Sequence, residues 1–298
     1  MIGQETIVAA TDLSAPSRHA CDRAARLAGD ADATLALVHT LGGTALEDLR
    51  RWIGEDAQTQ NAVRSDATER LHAIAADLRQ RHGVHVTEHL TIGHPVQEVT
   101  RFADQADADL LVTGTRGAGF FRGVVVGSTA ERLSKRSGRP VLLVRQSVHE
   151  PYRRVLVPVD FSPWSADAVK LAQRTAPEAT LVLMHAVELP LESRMRTVGV
   201  ADSVIAHYRD AARGESRQQL QQLATQTGLD RQQVHFSTPD GADPWMLIAQ
   251  DEQEFDCDLV VIGRQGRHML DELLLGSTTR MVISESTVDV LVSTRRRQ

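Results

Sequence analysis

The sequence predicts an α/β protein built as two repeated, doubly wound domains, each with a five-stranded parallel sheet. Three observations carry that prediction. Segments of one half of the chain recur in the other, at offsets close to half of its 298 residues. Each half alternates short apolar runs with longer segments that have one polar face. The runs are continuous in Val, Leu and Ile instead of alternating, which is how strands covered on both faces read.

The repeat is explicit. The stretch Val8–Ser14 recurs as Val155–Ser162, with Asp12 and Asp160 148 positions apart. Thr34–His39 recurs as Thr180–His185 at an offset of 146, and Asp109–Gly117 recurs as Asp258–Gly266 at 149. Two copies make a duplicated domain and not a solenoid, and small loop deletions account for the drift in offset. The boundary is expected between Ser147 and Arg153, where polar residues and Pro151 separate two apolar runs. Residues 1–149 then form the first domain and residues 150–298 the second.

In the first half the expected strands are Ile7–Ala10, Thr34–Thr40, Val84–Ile92, Leu110–Thr113 and Val141–Val144. In the second they are Val155–Val159, Thr180–Val187, Val234–Thr238, Leu259–Ile262 and Val290–Ser293. Ser14–Gly29 is rich in Ala and Arg with apolar residues at helical spacing, and Asn61–His82 sets Leu71, Ile74, Ala75 and Leu78 on one side. Thr129–Arg136 and Thr278–Glu285 read as short helices. Strands alternating with helices imply right-handed crossovers and a Rossmann-like or flavodoxin-like strand order. Such sheets bind ligands at the carboxyl ends of their strands, where the winding reverses.

Composition excludes several classes. Hydrophobic residues are 42% and charged residues 24%, a globular balance that argues against disorder. A net charge of −6 offers no basic surface for nucleic acid. No stretch approaches the roughly 18 apolar residues of a membrane span, and the first residues carry no leader pattern. The two cysteines, Cys21 and Cys257, are far apart in sequence and in no metal spacing, so a reducing, cytoplasmic location is expected. Both read as small core residues.

The chemistry concentrates in glycines. After the fourth expected strand of the first half come Gly114-Thr115-Arg116-Gly117, nine residues, and Gly127-Ser128-Thr129. The second half repeats this as Gly263-Arg264-Gln265-Gly266, nine residues, and Gly276-Ser277-Thr278. One such loop is a weak signal, because glycine after a strand is common. Two in register in otherwise diverged halves are strong. Glycine lets backbone N–H groups approach a ligand closely. The Gly-Ser-Thr opens a helix, where free N–H groups and the positive dipole end suit a phosphate. Arg116, Arg264 and Arg267 lie in these loops and add positive charge, as a solvated loop arginine also would.

With these motifs, both halves resemble the universal stress protein family, and the resemblance covers essentially the whole chain as a tandem of two such domains. It implies the universal stress protein fold and a regulatory role in the stress response. It also implies ATP, with or without Mg²⁺, across the carboxyl ends of the strands. Carried over, the contact residues are Ala10, Asp12, Thr40, Gly114, Gly117, Gly127, Ser128 and Thr129 in the first half. In the second they are Pro158, Asp160, Ala186, Gly263, Gly266, Gly276, Ser277 and Thr278. In the family the final strand often forms a dimer contact, so a homodimer and unidentified regulatory partners are implied as well. The second-half loop matches the family's nucleotide-binding version closely. The first-half loop is more apolar and has two extra glycines, Gly119 and Gly123, so the halves are expected to differ in occupancy.

No P-loop lysine follows either Gly-Ser-Thr, and no kinase loop or nucleophile elbow is present. Asp12 and Asp160 suit either Mg²⁺ at a triphosphate or a cap on the following turn, where Ser14 and Ser162 also favour N-cap positions. Without a placed general base, binding without efficient turnover is the leading expectation. Two rivals stand beside it: a slow ATPase or nucleotidyl-transfer enzyme, and a scaffold that binds no nucleotide and acts through its sheet edges. His82, His85 and His89 cluster around one expected strand, where a metal site competes with simple surface histidines. His39 and His185 end matching strands and read as structural or site-lining.

Overall fold

The computed structural model describes residues 5–42, 57–115, 126–147, 150–265 and 275–294. The chain divides into two units, Met1–Pro151 with Thr294–Gln298, and Tyr152–Ser293.

In the first unit the strands are β1 (Thr6–Thr11), β2 (Thr34–Gly42), β3 (Val86–Gly93), β4 (Leu110–Gly114) and β5 (Val141–Val144). They form a parallel sheet in the order β3-β2-β1-β4-β5. Among the described residues the helices between them are α1 (Ala15–Asp30), α2 (Ala57–His82), α3 (Pro95–Gln105) and α4 (Ser128–Arg136). The winding therefore reverses between β1 and β4.

The second unit repeats this with β6 (Arg154–Pro158), β7 (Thr180–Met184), β8 (Val234–Ser237), β9 (Leu259–Gly263) and β10 (Asp289–Ser293). The order is β8-β7-β6-β9-β10, again parallel. Its helices among the described residues are α5 (Ser165–Thr175), α6 (Glu192–Thr197), α7 (Asp202–Gln226), α8 (Pro244–Glu254) and α9 (Ser277–Glu285). The expected fold class is thus the observed one.

The continuous apolar runs became the central strands for the expected reason. Val8, Leu111, Val112 and Leu142 in the first sheet, and Val155, Leu156, Val260 and Leu291 in the second, have no exposed surface. Helices cover both faces, and each buried Leu or Val contributes about 1.5–3 kcal/mol. Helix α1 presents Ala20, Cys21, Ala24, Ala25 and Ala28, all fully buried, so its small side chains let it lie close to the sheet. Helix α2 buries Leu71, Ile74, Ala75 and Leu78 at i, i+3, i+4 and i+7. It ends where Gly83 takes φ +67° and its N–H reaches the Arg79 carbonyl at 3.0 Å, a left-handed cap that suits glycine.

The strand ends differ from expectation in places. Strand β3 begins at Val86, not Val84. Strand β7 stops at Met184 instead of Val187, although Val187 still makes an isolated parallel bridge to Asp240. In this register Ala186 lies opposite Pro239, which has no N–H for the ladder. The matching step in the first unit is Thr40 opposite Thr91, where pairing continues to Gly42 and Gly93. No helix among the described residues is long and apolar enough to cross a membrane.

Candidate functional site

The carboxyl ends of β1 and β4 mark the reversal point of the first unit, and those of β6 and β9 mark it in the second. Ala10 pairs with Thr113, which sets Thr11 and Gly114 side by side at the end of the sheet. Pro158 and Gly263 end β6 and β9, and Ala186 follows β7 by two residues.

A tight turn leaves the first strand of each unit. The Asp12 carboxylate accepts from the Ser14 N–H at 3.0 Å, and the Thr11 hydroxyl accepts from the Leu13 N–H at 3.0 Å. Asp160 likewise accepts from the Ser162 N–H at 3.0 Å, and from the Ser165 hydroxyl at 3.2 Å. The residue after each aspartate is left-handed: φ is 64° at Leu13 and 56° at Phe161. That conformation costs a bulky residue about 1–2 kcal/mol, so the surrounding hydrogen bonds must hold it. Of the two sequence readings of these aspartates, the turn cap is realised in both.

Ser14 is the N-cap of α1, as expected, and accepts from Ser17 N–H at 3.4 Å. Ser162 is not an N-cap. Helix α5 starts three residues later, at Ser165, and the Ser162 carbonyl accepts the Ser165 N–H at 3.0 Å. Pro163 and Trp164 lengthen the entry by a turn that α1 lacks.

One histidine spans the top of each sheet. His39 donates from Nδ1 to the Thr11 carbonyl at 2.8 Å, and His185 from Nδ1 to the Val159 carbonyl at 2.8 Å. A carbonyl only accepts, so Nδ1 carries the proton in both. The His185 ring also packs on Phe161, with centroids 4.3 Å apart. The Thr40 hydroxyl, buried, bonds the Thr91 hydroxyl at 2.8 Å.

The glycine loops close identically. Gly127 N–H donates to the Thr115 carbonyl at 2.8 Å, and Gly276 N–H to the Arg264 carbonyl at 3.0 Å. Thr115 and Arg264 are in turn held by N–H bonds to the Val144 and Ser293 carbonyls, at 3.1 and 3.0 Å. A Cβ on Gly127 would stand 3.3 Å from the Thr115 oxygen, so the closure leaves little room for one. Gly127 and Gly276 are also the N-caps of α4 and α9, and neither helix has a side-chain cap. Each helix therefore opens with first-turn N–H groups and a positive dipole end on the same side as the aspartate turn. Ser128, Thr129 and Ser277 are exposed there, and Thr278 is half-buried. Arg264 takes part through its main chain. Arg116, Gly117, Gly266 and Arg267 lie outside the described residues.

One contributor had no sequence signal. The Thr279 hydroxyl donates to the Gly263 carbonyl at 2.8 Å, tying α9 back to the end of β9. The first unit has Ala130 in its place, so the repeat motif could not point to it.

The three clustered histidines do not converge. His82 Nε2 bonds Asp22 at 2.7 Å, whereas His89 packs on Phe102 with ring centroids 4.4 Å apart and bonds the Thr87 hydroxyl. His85 is exposed. Among the described residues no three His, Cys, Asp or Glu side chains are grouped to hold a metal ion.

Two copies of a doubly wound domain, each with the same glycine bond at its reversal point, define a tandem α/β protein. The family model described as "Universal stress protein family" matches residues 4–145 and 151–294. The chain belongs to the universal stress protein family, as a tandem, UspA-like member, and the family has a role in stress response. A universal stress protein of Mycobacterium tuberculosis is 33% identical over 148 residues, covering 48% of this chain and 98% of its own. One of Mycolicibacterium smegmatis is 26% identical over 293 residues, or 96% of both chains. The crystal structure of a universal stress protein from Archaeoglobus fulgidus superposes with a TM-score of 0.64 at 22% identity over 98% of each chain, which bears on the fold alone.

Proposed function

We propose that the protein is an ATP-binding regulator of the stress response, with one adenine-nucleotide site in each half, and that it binds without efficient turnover. The observation that carries this reading is the doubled loop closure. Gly127 and Gly276 each bond back to the residue that follows the fourth strand of their unit, and as N-caps they bring no side chain to the first turn of the next helix, at the point where the winding reverses. A triphosphate fits those donors, and Ser128, Thr129, Ser277 and Thr278 add hydroxyls there. In this reading Gly114, Gly117, Gly263 and Gly266 let the backbone approach the phosphates and ribose. Ala10, Asp12, Pro158 and Asp160 flank the adenosine, and Thr40 and Ala186 meet the base. Arg116, Arg264 and Arg267 supply charge from the loops. Mg²⁺ would enter with the triphosphate, since it prefers phosphate oxygens and water.

The proposal extends to a cytoplasmic location, a homodimer, and a regulatory protein partner that senses the nucleotide-loaded form. Calorimetry of the full chain with ATP tests its core. Binding heat is expected, and it falls by one site on Gly276→Val with Ser277→Ala, and by the other on Gly127→Val with Ser128→Ala. An intact protein that gives no heat overturns the reading. Steady ADP release that disappears in Asp160→Ala would overturn the absence of turnover.

A further inference from the structure

We propose that His39 and His185 are positioning residues of the two nucleotide sites: each ring fixes the aspartate turn of its half by holding the carbonyl one peptide before it. The inference rests on the adenine-nucleotide reading but is carried by a separate observation. The same Nδ1-to-carbonyl bond, 2.8 Å long, occurs in both units, onto Thr11 and onto Val159. The surroundings of that bond differ between the halves. Leu13 stands where Phe161 packs on its histidine, and Pro16 stands where Trp164 stands.

The physical consequence follows from the planar peptide. A peptide group is rigid, so holding the Thr11 oxygen toward His39 fixes the direction of the Asp12 N–H on its far side. The same holds for Val159 and Asp160. In both units the residue after the aspartate is left-handed, and the aspartate carboxylate accepts from the N–H two positions on. The ring therefore holds a strained turn that would otherwise relax. It also couples two chain segments. Asp12 and Asp160 lie one residue after the acceptor carbonyl, and Thr40 and Ala186 one residue after the histidine. One side chain thus sets the distance between the two proposed contact residues of its half.

Replacement by Asn and by Gln separates this role from simple packing. The Asn amide nitrogen is as many bonds from Cβ as His Nδ1, whereas the Gln amide extends one bond further. The test uses the full chain, with ATP affinity by calorimetry and amide hydrogen exchange of the Ser14 and Ser162 N–H groups. His185→Ala and His185→Gln are expected to weaken ATP binding at the second site by about five- to tenfold, the effect of one neutral hydrogen bond. They also speed Ser162 exchange by a similar factor, and His185→Asn restores both. His39 variants act in the same way on the first site and on Ser14. If Asn does no better than Gln in either readout, the proposal is overturned. If Ala fails to fold, the Asn and Gln pair still decides. If the parent protein binds no ATP, the nucleotide reading falls, and exchange at Ser14 and Ser162 alone decides whether the histidines hold the turns.

Discussion

The Thr279 hydroxyl donates to the Gly263 carbonyl at 2.8 Å, and Ala130, its counterpart in the first unit, has no hydroxyl to offer Gly114. The two glycine loops are therefore closed by the same main-chain bond but braced differently. Removing a buried hydroxyl from a carbonyl costs about 1 kcal/mol. Thr279→Ala is expected to lower the melting midpoint of the second unit by roughly 2–4 °C, and Thr279→Ser to restore it. Differential scanning calorimetry checks this. An unchanged midpoint in the alanine variant would mean that the bond contributes nothing.

A second asymmetry lies under the sheets. His89 packs on Phe102 in the first unit; the matching positions in the second are Ser237 and Asp251. Asp251 is buried, and its Oδ2 has no hydrogen-bond partner among the described residues. Burial raises its pKa above 3.8; the Ser237 hydrogen bond works against that rise, and the nearby Glu254 charge adds to it. The folded protein thus holds this proton more tightly than the unfolded chain does. The associated stability is complete below pH 3.8 and is lost as pH rises through the raised folded value. Asp251→Asn removes that loss, so its stability relative to the parent is expected to improve as pH is raised from acid to neutral. Urea titrations at several pH values measure it; a difference that is flat with pH would rule the account out.

These asymmetries show what the sequence could and could not carry. Continuous runs such as Val141–Val144 specified whole strands, because burial on both faces leaves a local signature. The end of β7 was not legible, because it depends on Pro239 facing Ala186 across more than fifty residues. The glycine spacing was legible twice over, and the structure adds the closing bonds from Gly127 and Gly276. The histidine bonds were not, since nothing in the Thr34–His39 run says which carbonyl the ring will meet. Ser162 favours an N-cap position by residue type, but Pro163 and Trp164 form a turn and α5 begins only at Ser165.

The cysteines allow a direct chemical check of burial. Desolvation pushes the Cys21 thiol up to about 12, against a hydrogen bond from Thr11, and pushes Cys257 up to about 12 as well, with Asp258 and Glu252 adding to it. Both side chains are buried. Reaction needs the thiolate, which the raised pKa makes scarce at neutral pH, so modification of both cysteines is strongly slowed in the folded protein. Ellman's reagent is expected to find almost no reactive thiol in the native protein and two after unfolding in guanidinium. A fast-reacting thiol in the native protein would contradict the packing of α1 or of the approach to β9.

Helix α6 shows how an element without a core is held. None of its residues is buried, so apolar packing does not fix it. Glu192, its first residue, instead receives a two-pronged contact from Arg209 of α7, with Nε at 2.8 Å from Oε2 and Nη2 on Oε1, and a 3.1 Å bond from Arg196. Arg209 and Arg213 also reach Asp240, beside the Val187 bridge. The Arg209 hydrogen bonds, helped by Arg196, lower the Glu192 carboxyl from 4.5 to about 2. A depressed folded pKa means stability that is present above pH 4.5 and lost as pH falls through about 2. Carbon-detected NMR of the carboxyl is expected to find it titrating near 2 in the parent and back toward 4.5 in Arg209→Gln. Because the pair lies at the surface, added salt should weaken it, raising the parent value and speeding amide exchange across α6. A parent carboxyl that titrates in the ordinary range would mean that the Arg209 contact does not hold α6 in solution.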